Sequence, residues 1–357
     1  MRVLHLFGDW KWTGPSEPTL DLCLELRALG VDVTLACQEA EPGASSSLPA
    51  RARERGLEPL HIAPLRRSVF SALRDTGRVA QALKGYDLLH AHFTHDHFVG
   101  GRAARKLGGV KIVRTNHKAI PTRKNLGSSY VYRKLTDGYV TFSQAALEAD
   151  VAAFGVRGWR IDPAMRLERF VPREAPHDGF VVGVVARMQR HRRFDVLLEG
   201  VKLTKVPDLK VLIVGRGTHM NEVAVEPAKR LGLTNVVFTG YLGEQYLDTL
   251  AGFDALLFLV PGSDGTCRAI REAMAMGKAV VGARRGMIPE IVDDGKTGLV
   301  IDDTPENIAR AIESLAADRA RCRAMGQTGR EKALRLYDVK RQAAAVRDIY
   351  SALLGST

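Results

Sequence analysis

The chain has 357 residues, of which 45% are hydrophobic and 26% charged, a composition that excludes a disordered or low-complexity protein. Its length suits two domains of roughly 150 to 200 residues each. No apolar run approaches the roughly 18 to 20 residues that span a bilayer, and none resembles a signal peptide, so we expect a cytoplasmic protein. The four cysteines are scattered, which argues against a zinc site or a redox motif.

The formal net charge is +12, and most of the positive excess lies in the first half. Up to Arg173 there are 26 Lys and Arg against 17 Asp and Glu, whereas the remainder has 26 against 23. This asymmetry indicates an anionic partner for the first half, either a phospholipid surface or nucleic acid. The alternative is a basic surface that only keeps the protein soluble.

The first half alternates predicted strands with predicted helices. A strand at 3–7 is followed by an amphipathic helix at 20–29 and by a second strand at 31–36. Such a βαβ unit implies parallel pairing through a right-handed crossover. Further strands are predicted, at 87–92, 111–115 and 138–142.

The pattern breaks down at 161–176, and a second series begins with an apolar strand at 180–185. Five further strands are predicted, at 210–215, 235–240, 255–259, 279–282 and 298–301. We therefore predict an N-terminal domain at 1–173, a C-terminal domain at 174–336 and a last helix at 337–357 that crosses back to the first domain. Parallel α/β sheets bind ligands at the carboxyl ends of their strands.

The most informative segment is 261–282, where a predicted strand leads into a Gly-rich turn and a helix begins near Gly265. Backbone N–H groups at a helix start, together with the helix dipole, favour binding of a diphosphate. Asp264 lies in the turn and Glu272 two turns along the helix, so one carboxylate can reach a sugar and the other the hydroxyls of a ribose. In the alternative interpretation Asp264 is a helix N-cap and Glu272 only pairs with Arg268.

Further short motifs accompany these two acidic residues. In chain order they are Gly183-Val-Val-Ala-Arg, Val214-Gly-Arg-Gly, Phe238-Thr-Gly-Tyr, Ala273-Met-Ala-Met-Gly-Lys-Ala-Val, Gly286-Met-Ile-Pro-Glu-Ile-Val and Asp294-Gly-Lys-Thr-Gly-Leu. The ordered series resembles the family-4 retaining glycosyltransferases of group 1. The resemblance implies an α/β protein of GT-B architecture, with two facing Rossmann-like domains, parallel sheets and an interdomain cleft.

The resemblance also implies an activity, the metal-independent transfer of a sugar from a nucleotide-diphosphate sugar with retention at the anomeric carbon. The first domain would bind the acceptor and the second the donor. No Asp-x-Asp motif is present, and no metal or cofactor is expected. The acceptor is expected to be a glycan or a lipid-linked precursor in cell-envelope polysaccharide or lipopolysaccharide synthesis.

Individual site residues follow from the same resemblance. Glu272 would bind the ribose, and Asp264 and His117 would bind the transferred sugar. Arg187 and Arg192 would bind the diphosphate. In the alternative interpretation these two arginines belong to a solvated basic loop. The remaining predicted donor-binding residues are Gly14, Gly217, Tyr241, Leu242, Gly265, Thr266, Cys267 and Arg268.

Several of these positions depart from the family pattern, and Arg192 stands where Lys is usual. Asp264 stands where Glu is usual, which shortens the reach of the carboxylate by one methylene. Cys267 and Arg268 stand where Gly and an apolar residue are usual. The extra charge of Arg268 suggests the hypothesis that the transferred sugar or the acceptor carries an acid group.

Basic residues of the first domain point to an anionic acceptor or membrane surface. They are Arg51, Arg53, Arg55, Arg66, Arg67, Arg74 and Arg78, and then Lys118, Arg123, Lys124, Arg133 and Lys134. The stretch 65–83 interleaves arginines with Val69, Phe70, Leu73 and Val79, as an interfacial helix does, although a core-facing helix with a basic outer side has the same pattern. Peripheral attachment to the inner face of the cytoplasmic membrane is the corresponding expectation.

Other functions have weaker support. A nucleic-acid-binding protein is disfavoured because the basic stretches lack stacking aromatics, and we expect no nucleic-acid partner. A dinucleotide-dependent oxidoreductase is disfavoured because the first turn lacks the G-x-G-x-x-G spacing. A sugar epimerase of the same fold stays open. His90, His92, His95 and His97 imitate a metal cluster without a supporting ligand pattern, so a structural role is predicted for them.

Overall fold

The computed structural model describes residues 1–44, 46–63, 71–173, 175–262 and 265–355. The strands are β1 (Arg2–Phe7), β2 (Asp32–Cys37), β3 (Leu60–His61), β4 (Leu88–Ala91), β5 (Lys111–Asn116), β6 (Gly138–Thr141), β7 (Gly158–Arg160), β8 (Phe180–Val185), β9 (Leu209–Val214), β10 (Val236–Gly240), β11 (Ala255–Phe258), β12 (Ala279–Ala283) and β13 (Gly298–Ile301).

The α-helices are α1 (Ser16–Ala28), α2 (Leu48–Glu54), α3 (Ala72–Ala82), α4 (Thr94–Leu107), α5 (Leu126–Lys134), α6 (Gln144–Phe154), α7 (Phe194–Leu203), α8 (Glu226–Arg230), α9 (Tyr246–Ala251), α10 (Arg268–Ala275), α11 (Ile288–Ile291), α12 (Pro305–Ala317), α13 (Arg319–Leu336) and α14 (Val339–Leu354). Among the described residues no helix is both long and apolar enough to cross a membrane.

The chain divides into two compact units, each with its own parallel sheet. The first unit comprises 1–165 and 338–357, and its seven strands lie in the order β3-β2-β1-β4-β5-β6-β7. The second unit comprises 166–337, and its six strands lie in the order β10-β9-β8-β11-β12-β13. Both units are therefore Rossmann-like, as the sequence predicted.

In each sheet the strand order reverses between two neighbouring strands, β1 and β4 in the first unit and β8 and β11 in the second. Connections leave these strands toward opposite faces of the sheet, which opens a crevice at their carboxyl ends. Apolar side chains fill both faces of each sheet because helices cover them. In β1 every residue after Arg2 is buried, as are all residues of β11 and β12.

The boundary between the units lies at Met165, earlier than the predicted position at 173. The reason is that the segment after Met165 bonds within the second unit. The carbonyl of Phe170 accepts a hydrogen bond from Arg330 Nη1 at 3.0 Å, and Arg173 pairs with Asp248 at 3.0 Å.

The last helix, α14, belongs to the first unit and packs against α1. Its inner side contributes Ala343, Val346, Ile349 and Leu353 to the core beneath β1 and β2. Tyr350 lies in the same core and is fully buried. This helix therefore completes the fold of the first unit.

Two strands were absent from the sequence prediction, β3 and β7. They have two and three residues and occupy the two edges of the first sheet. Short edge strands leave few unpaired backbone groups exposed, and they are too short to produce a hydrophobic period that a sequence pattern can reveal.

One glycine of the second unit fixes how closely α13 approaches the sheet. A Cβ on Gly326 would lie 2.0 Å from the carbonyl oxygen of Gly277, which is backbone and cannot rotate away. We expect Gly326→Ala to lower the free energy of unfolding by about 1 to 3 kcal/mol, as measured by urea denaturation.

Gly77 in α3 is the matched control, because a Cβ there would meet nothing within 4 Å. Gly77→Ala should raise the free energy of unfolding by about 0.5 to 1 kcal/mol, since alanine is the better helix former. Equal effects of the two substitutions would contradict the close approach of α13 to Gly277.

Candidate functional site

The residues predicted for the second unit lie in loops at the carboxyl ends of four neighbouring strands. Arg187 follows β8, Gly217 follows β9, and Tyr241 and Leu242 follow β10. The segment 265–267 lies between β11 and α10. The structure therefore brings these residues to one edge of one sheet, around the point where the strand order reverses.

Two glycines bring the loops after β8 and β9 into backbone contact. A Cβ on Gly217 would lie 2.0 Å from the carbonyl oxygen of Met188, and a Cβ on Gly215 would lie 2.2 Å from that of Ala186. Gly215 also has a φ of +131°, which L side chains rarely adopt. Only glycine fits at both positions, so Gly217 has a packing role that does not depend on a ligand.

The loop after β8 carries several cations, and the structure distinguishes among them. Arg190 makes a two-pronged ion pair with Glu222, at 2.8 and 2.9 Å, and Arg193 lies 3.5 Å from Asp303. Arg187 is exposed, and no carboxylate among the described residues pairs with it. Within this basic loop, Arg187 is thus the arginine whose charge is left open to a ligand at the strand ends.

Arg192 has a positioning role in addition to the predicted one. Its Nη1 donates a hydrogen bond to the carbonyl oxygen of Val260 at 2.5 Å. Val260 lies in the loop after β11, so Arg192 connects the loops on the two sides of the switch point. The guanidinium has further N–H groups that can donate to a phosphate, and that contact stays a prediction.

The helix after the Gly-rich turn begins later than predicted. It starts at Arg268 rather than near Gly265, and its N-cap is Cys267 rather than Asp264. Gly265 and Cys267 have φ angles of +72° and +51°, and left-handed residues cannot continue into a right-handed helix. The interpretation of Asp264 as the N-cap is therefore wrong, and Asp264 itself lies outside the described residues.

A left-handed conformation also explains why the family usually has glycine where this chain has Cys267. Glycine adopts positive φ at little cost, whereas a side chain there is strained. Cys267 is buried, and its Sγ contacts the carbonyl oxygen of Gly265 at 3.4 Å. The thiol thus packs inside the turn.

Arg271, which the sequence analysis missed, fixes the same turn from inside. It is buried, and its Nε and Nη2 donate to the carbonyl oxygen of Thr266 at 3.3 and 3.2 Å. Burial lowers the pKa of Arg271, and its guanidinium lies 5.9 Å from the ring centre of Tyr337. Nothing in a helical Arg-Glu-Ala sequence indicates that this arginine points inward.

Glu272 is only 6% exposed, and both of its carboxylate oxygens accept hydrogen bonds. Oε1 accepts from Arg268 Nε at 2.7 Å, and Oε2 accepts from the Tyr246 hydroxyl at 2.6 Å. The Arg268–Glu272 pair of the alternative interpretation is therefore present. A carboxylate has about four acceptor positions, so these bonds leave room for ribose hydroxyls, and that contact stays a prediction.

Tyr246 is a second residue that sequence reasoning missed. Burial, and then the charge of Glu272, raise its pKa well above the usual value, so the phenol stays protonated and donates to the carboxylate. Tyr246 begins α9, directly after the turn Gly243–Gln245. Its place is set by this turn, and no local motif marks it.

Tyr241 and Leu242, predicted to touch the base, differ in exposure. Tyr241 is 74% exposed, and the guanidinium of Arg216 lies 5.2 Å from the centre of its ring. Leu242 is half-buried. A flat ring after β10, with the cation of Arg216 from the loop after β9, is suited to stacking on a base, which remains a prediction.

In the first unit, Gly14 lies in an exposed turn between β1 and α1. The loop that contains it is held by hydrogen bonds at both ends. Ser16 Oγ donates to the carbonyl oxygen of Lys11 at 2.9 Å, and the buried carboxylate of Asp96 accepts from the backbone N–H of Gly8 at 2.8 Å. Asp96 was not among the predicted residues.

His117 follows the last residue of β5 and is half-buried. Its Nε2 lies 2.9 Å from Nδ1 of His92, and none of the described residues forms a hydrogen bond with its Nδ1. Burial, with a smaller contribution from the charge of Arg114, lowers the pKa of His117 to about 3. The imidazole is therefore neutral at physiological pH and suits hydrogen bonding to a sugar.

The four histidines at 90–97 do not converge on one point. His97 Nε2 lies 3.0 Å from the carbonyl oxygen of Leu135, and His95 faces Asp75 at 3.7 Å. His90 and His92 instead join His5, and one nitrogen of each of these three rings lies within 4.8 Å of the others, a spacing that a metal ion can use. This group contains no carboxylate.

The basic surfaces of the first unit are of two kinds. Arg51 pairs with Glu54, Arg53 with Glu39 and Glu58, and Arg55 with Asp21. In contrast, the described residues contain no ionic partner for the cations of the 118–134 segment, which are Lys118, Arg123, Lys124, Arg133 and Lys134. The 118–134 segment also exposes three apolar side chains, Ile120, Leu126 and Tyr130.

The stretch 65–83 fits the core-facing interpretation in part. Its described helix, α3, begins at Ala72, and Val79 is fully buried in the core with Leu4 and Leu6. Leu73 is 74% exposed, as an interfacial residue would be. Arg66, Arg67, Val69 and Phe70 lie outside the described residues.

A cavity of about 420 Å³ lies at the opposite end of the second sheet, beside the first residues of β8 and β11. Its lining includes four cations, Arg173, Lys278, Arg319 and Arg323. None of the described residues predicted for the donor site lines it. This basic cavity is thus a competing place for an anion.

We expect Tyr246→Phe to lower the free energy of unfolding by about 1.5 to 3 kcal/mol, because it removes a buried hydrogen bond to the charged Glu272. Tyr241→Phe is the control and should change it by less than about 0.5 kcal/mol, since this residue is exposed. Urea denaturation at pH 7 measures both. A similar small change for the two variants would show that the Tyr246–Glu272 hydrogen bond is absent in solution.

In comparison with known proteins, both halves of the chain match profiles of glycosyltransferase families. Residues 14–163 match the profile of Glycosyltransferase Family 4, and residues 166–332 match that of Glycosyl transferases group 1. The solved structure of HepE from Anabaena in complex with UDP and glucose is 18% identical, covers 99% of this chain and 100% of its own, and superimposes with a TM-score of 0.80. The two proteins therefore share a fold.

Two curated relatives are more similar in sequence. A GDP-mannose-dependent alpha-(1-6)-phosphatidylinositol monomannoside mannosyltransferase of Mycolicibacterium smegmatis is 28% identical over 70% of this chain and 72% of its own length. A D-inositol 3-phosphate glycosyltransferase of Corynebacterium kroppenstedtii is 33% identical over 57% of this chain and 46% of its own length, so the match spans about half of that relative. Together with the two profiles, which cover most of the sequence, they show that the chain belongs to the group 1 and family 4 glycosyltransferases.

Proposed function

We propose that this protein transfers a sugar from a nucleotide-diphosphate sugar to a lipid-linked glycan acceptor, with retention at the anomeric carbon and without a metal ion. The observation that carries the proposal is the set of loops at the carboxyl ends of β8 to β11. These loops combine an arginine that no described carboxylate pairs with and backbone groups in close approach, and α10, which follows them, adds the buried carboxylate of Glu272.

Charge is the first argument for a diphosphate at this edge of the sheet. Arg187 is exposed at the end of β8, while the neighbouring Arg190 and Arg193 are held by carboxylates. A phosphate can therefore bind Arg187 without displacing any ion pair among the described residues. Arg192, at the other side of the loop, is assigned to the same ligand, since a guanidinium carries five N–H donors.

The nucleoside half of the donor is assigned to Glu272 and to the loop after β10. Ribose hydroxyls can donate to the carboxylate of Glu272, whose orientation is fixed by Arg268 and Tyr246. The relatives support a nucleotide donor without agreeing on the base. The Mycolicibacterium smegmatis relative is named for GDP-mannose, and the HepE structure contains UDP.

The proposed reaction breaks the bond between the anomeric carbon and the phosphate oxygen. The electron pair leaves with the nucleoside diphosphate, and Arg187 and Arg192 stabilise the negative charge that develops there. The acceptor hydroxyl attacks from the same face, and its proton passes to an oxygen of the leaving phosphate. Neutral His117 is assigned a hydrogen bond to the transferred sugar, which it can make without competing for that proton.

The 118–134 segment is the proposed contact with anionic lipid. Leu126 is 92% exposed, and Ile120 and Tyr130 are exposed beside it. Five cations without a described ionic partner surround these apolar side chains along the sequence. Apolar side chains that enter the headgroup region and cations that attract anionic lipid act together in interfacial binding.

Two further points favour a lipid-linked acceptor. The segment begins directly after His117, the residue assigned to the sugar, so both belong to one continuous stretch of the chain. The Mycolicibacterium smegmatis relative is named for transfer to a phosphatidylinositol monomannoside, a lipid. We therefore propose a role in cell-envelope glycan synthesis at an anionic membrane surface.

The donor site predicts a selective loss of affinity. Arg187→Ala should raise the dissociation constant of UDP or GDP, whichever binds, by about 10-fold or more, because a hydrogen bond between charged groups is lost. The affinity for the corresponding nucleoside should not change. Isothermal titration calorimetry in EDTA measures these constants and tests in the same experiment whether binding of the nucleotide needs a metal ion.

Arg190→Ala is the control, because Arg190 lies three residues away but is paired with Glu222. Its effect on affinity should be less than about threefold, which corresponds to less than about 0.7 kcal/mol. Equal effects of Arg187→Ala and Arg190→Ala would contradict the assignment of the phosphate to Arg187. Failure of all four of UDP, GDP, ADP and dTDP to bind would contradict the donor site itself.

The membrane contact predicts a position-specific effect. Leu126→Ser should weaken binding to vesicles of phosphatidylcholine and phosphatidylglycerol by about 10-fold or more, since about 1.5 to 3 kcal/mol of side-chain burial is lost. Leu73→Ser, which changes an exposed leucine of α3, should have little effect. Vesicle co-sedimentation compares the two, and a greater loss with Leu73→Ser would assign the contact to α3 instead.

A further inference from the structure

Six buried or half-buried side chains of the first unit form one series of hydrogen-bonded polar groups. In order along the series they are Thr115, His90, Tyr350, His5, His92 and His117. The series begins at Thr115 in β5, passes through Tyr350 of α14 and ends at His117, directly after β5. It thus links the last helix of the chain to the residue assigned to the sugar.

Every donor–acceptor distance between neighbours in the series is within hydrogen-bonding range. His90 Nε2 lies 2.6 Å from Thr115 Oγ1, and His90 Nδ1 lies 2.5 Å from the Tyr350 hydroxyl. The same hydroxyl lies 3.1 Å from His5 Nε2, and His5 Nδ1 lies 3.0 Å from His92 Nε2.

The last bond of the series joins two rings at its open end. His92 Nδ1 lies 2.9 Å from His117 Nε2 and, at 3.4 Å, also faces Thr19 Oγ1. Both nitrogens of His5, His90 and His92 are therefore engaged. The one ring nitrogen of the series without a described partner is Nδ1 of His117.

All four imidazoles are neutral at physiological pH. Burial lowers the pKa of His5 and of His117 to about 3, and it lowers the pKa values of His90 and His92 well below the ordinary value. The charge of the buried Arg114 also lowers the pKa values of His90, His92 and His117. A neutral imidazole has one donor and one acceptor nitrogen. The direction of one hydrogen bond to a ring therefore fixes the direction of the hydrogen bond on its other nitrogen.

The single proton of the Tyr350 hydroxyl allows two arrangements. If it is donated to His90, then His90 donates from Nε2 to Thr115, and the phenol oxygen accepts from Nε2 of His5. His5 then accepts at Nδ1 from Nε2 of His92, which accepts at Nδ1 from Nε2 of His117. All four histidines then carry the proton on Nε2, and Nδ1 of His117 is an acceptor.

If the phenol donates to His5 instead, every bond reverses. His5 donates from Nδ1 to His92, and His92 donates from Nδ1 to His117. The phenol oxygen accepts from Nδ1 of His90, and Thr115 donates to Nε2 of His90. All four histidines then carry the proton on Nδ1, and Nδ1 of His117 is a donor.

We propose that these residues form a tautomer relay, in which His5, His90 and His92 are positioning residues that share one tautomer with His117, and Tyr350 is the link that joins them. The relay decides whether His117 offers an acceptor or a donor to its ligand, and it does so without a change of charge. The identity of that ligand, a sugar hydroxyl, rests on the proposed function. The relay itself rests only on the first unit.

A metal ion held by His5, His90 and His92 is the competing explanation of the same cluster. Metal ligation uses the lone pair of one nitrogen on each ring, and it would break hydrogen bonds that the structure contains. Both arrangements satisfy every hydrogen bond of the series from Thr115 to His117, so the geometry favours the relay.

The test is the tautomeric state of the histidines in the wild-type protein, labelled with 15N-histidine and measured by long-range 1H–15N correlation at pH 7. Single substitutions such as His117→Asn assign the signals. The relay predicts that His5, His90, His92 and His117 have the same tautomer or the same ratio of tautomers. A mixture, with the proton on Nε2 in some of the four and on Nδ1 in others, would overturn it, as would a stoichiometric metal ion in the purified protein.

Tyr350→Phe removes the link and keeps the ring. His5, His92 and His117 should then still share a tautomer ratio, while that of His90 departs from it. An unchanged common ratio would overturn the assignment of Tyr350. If the variant does not fold, the wild-type spectrum decides alone. UDP and GDP binding is measured in parallel, so loss of the proposed function and loss of the relay are seen separately.

Discussion

Reversal of the strand order within a parallel sheet is the constraint on which both units depend. At this point the chain leaves two neighbouring strands toward opposite faces, so the loops diverge and expose backbone groups at the carboxyl edge. In the second unit these strands are β8 and β11, and Arg187 and the 265–267 turn follow them. In the first unit they are β1 and β4, followed by the Gly14 loop and by His92.

Close packing at these edges limits which residues are possible. The loops after β8 and β9 approach so closely that Gly215 and Gly217 tolerate no Cβ. The turn before α10 needs left-handed residues at Gly265 and Cys267, and the buried Arg271 holds it through the carbonyl of Thr266. Local rigidity of this kind positions the charged groups, since a site that orients a diphosphate needs its donors fixed before the ligand arrives.

The sequence predicted the architecture well because long apolar strands and Gly-rich turns are local signals. It placed both sheets and the strand ends at which Arg187, His117 and Gly217 lie. It failed where structure is set by distant contacts: the first turn of α10 is delayed by the left-handed Cys267, and Tyr246 reaches Glu272 from a different helix. Likewise, no spacing in the sequence joins His5 to Tyr350, because α14 brings them together from opposite ends of the chain.

The central claim is that a nucleoside diphosphate binds at the carboxyl edge of the second sheet. Amide hydrogen exchange, read by mass spectrometry with and without saturating UDP or GDP, tests it most directly. A nucleoside diphosphate bound there should slow exchange in the segments 186–188, 215–217 and 265–272. Protection confined to the basic cavity at the opposite end of the sheet, around Lys278 and Arg319, would contradict it.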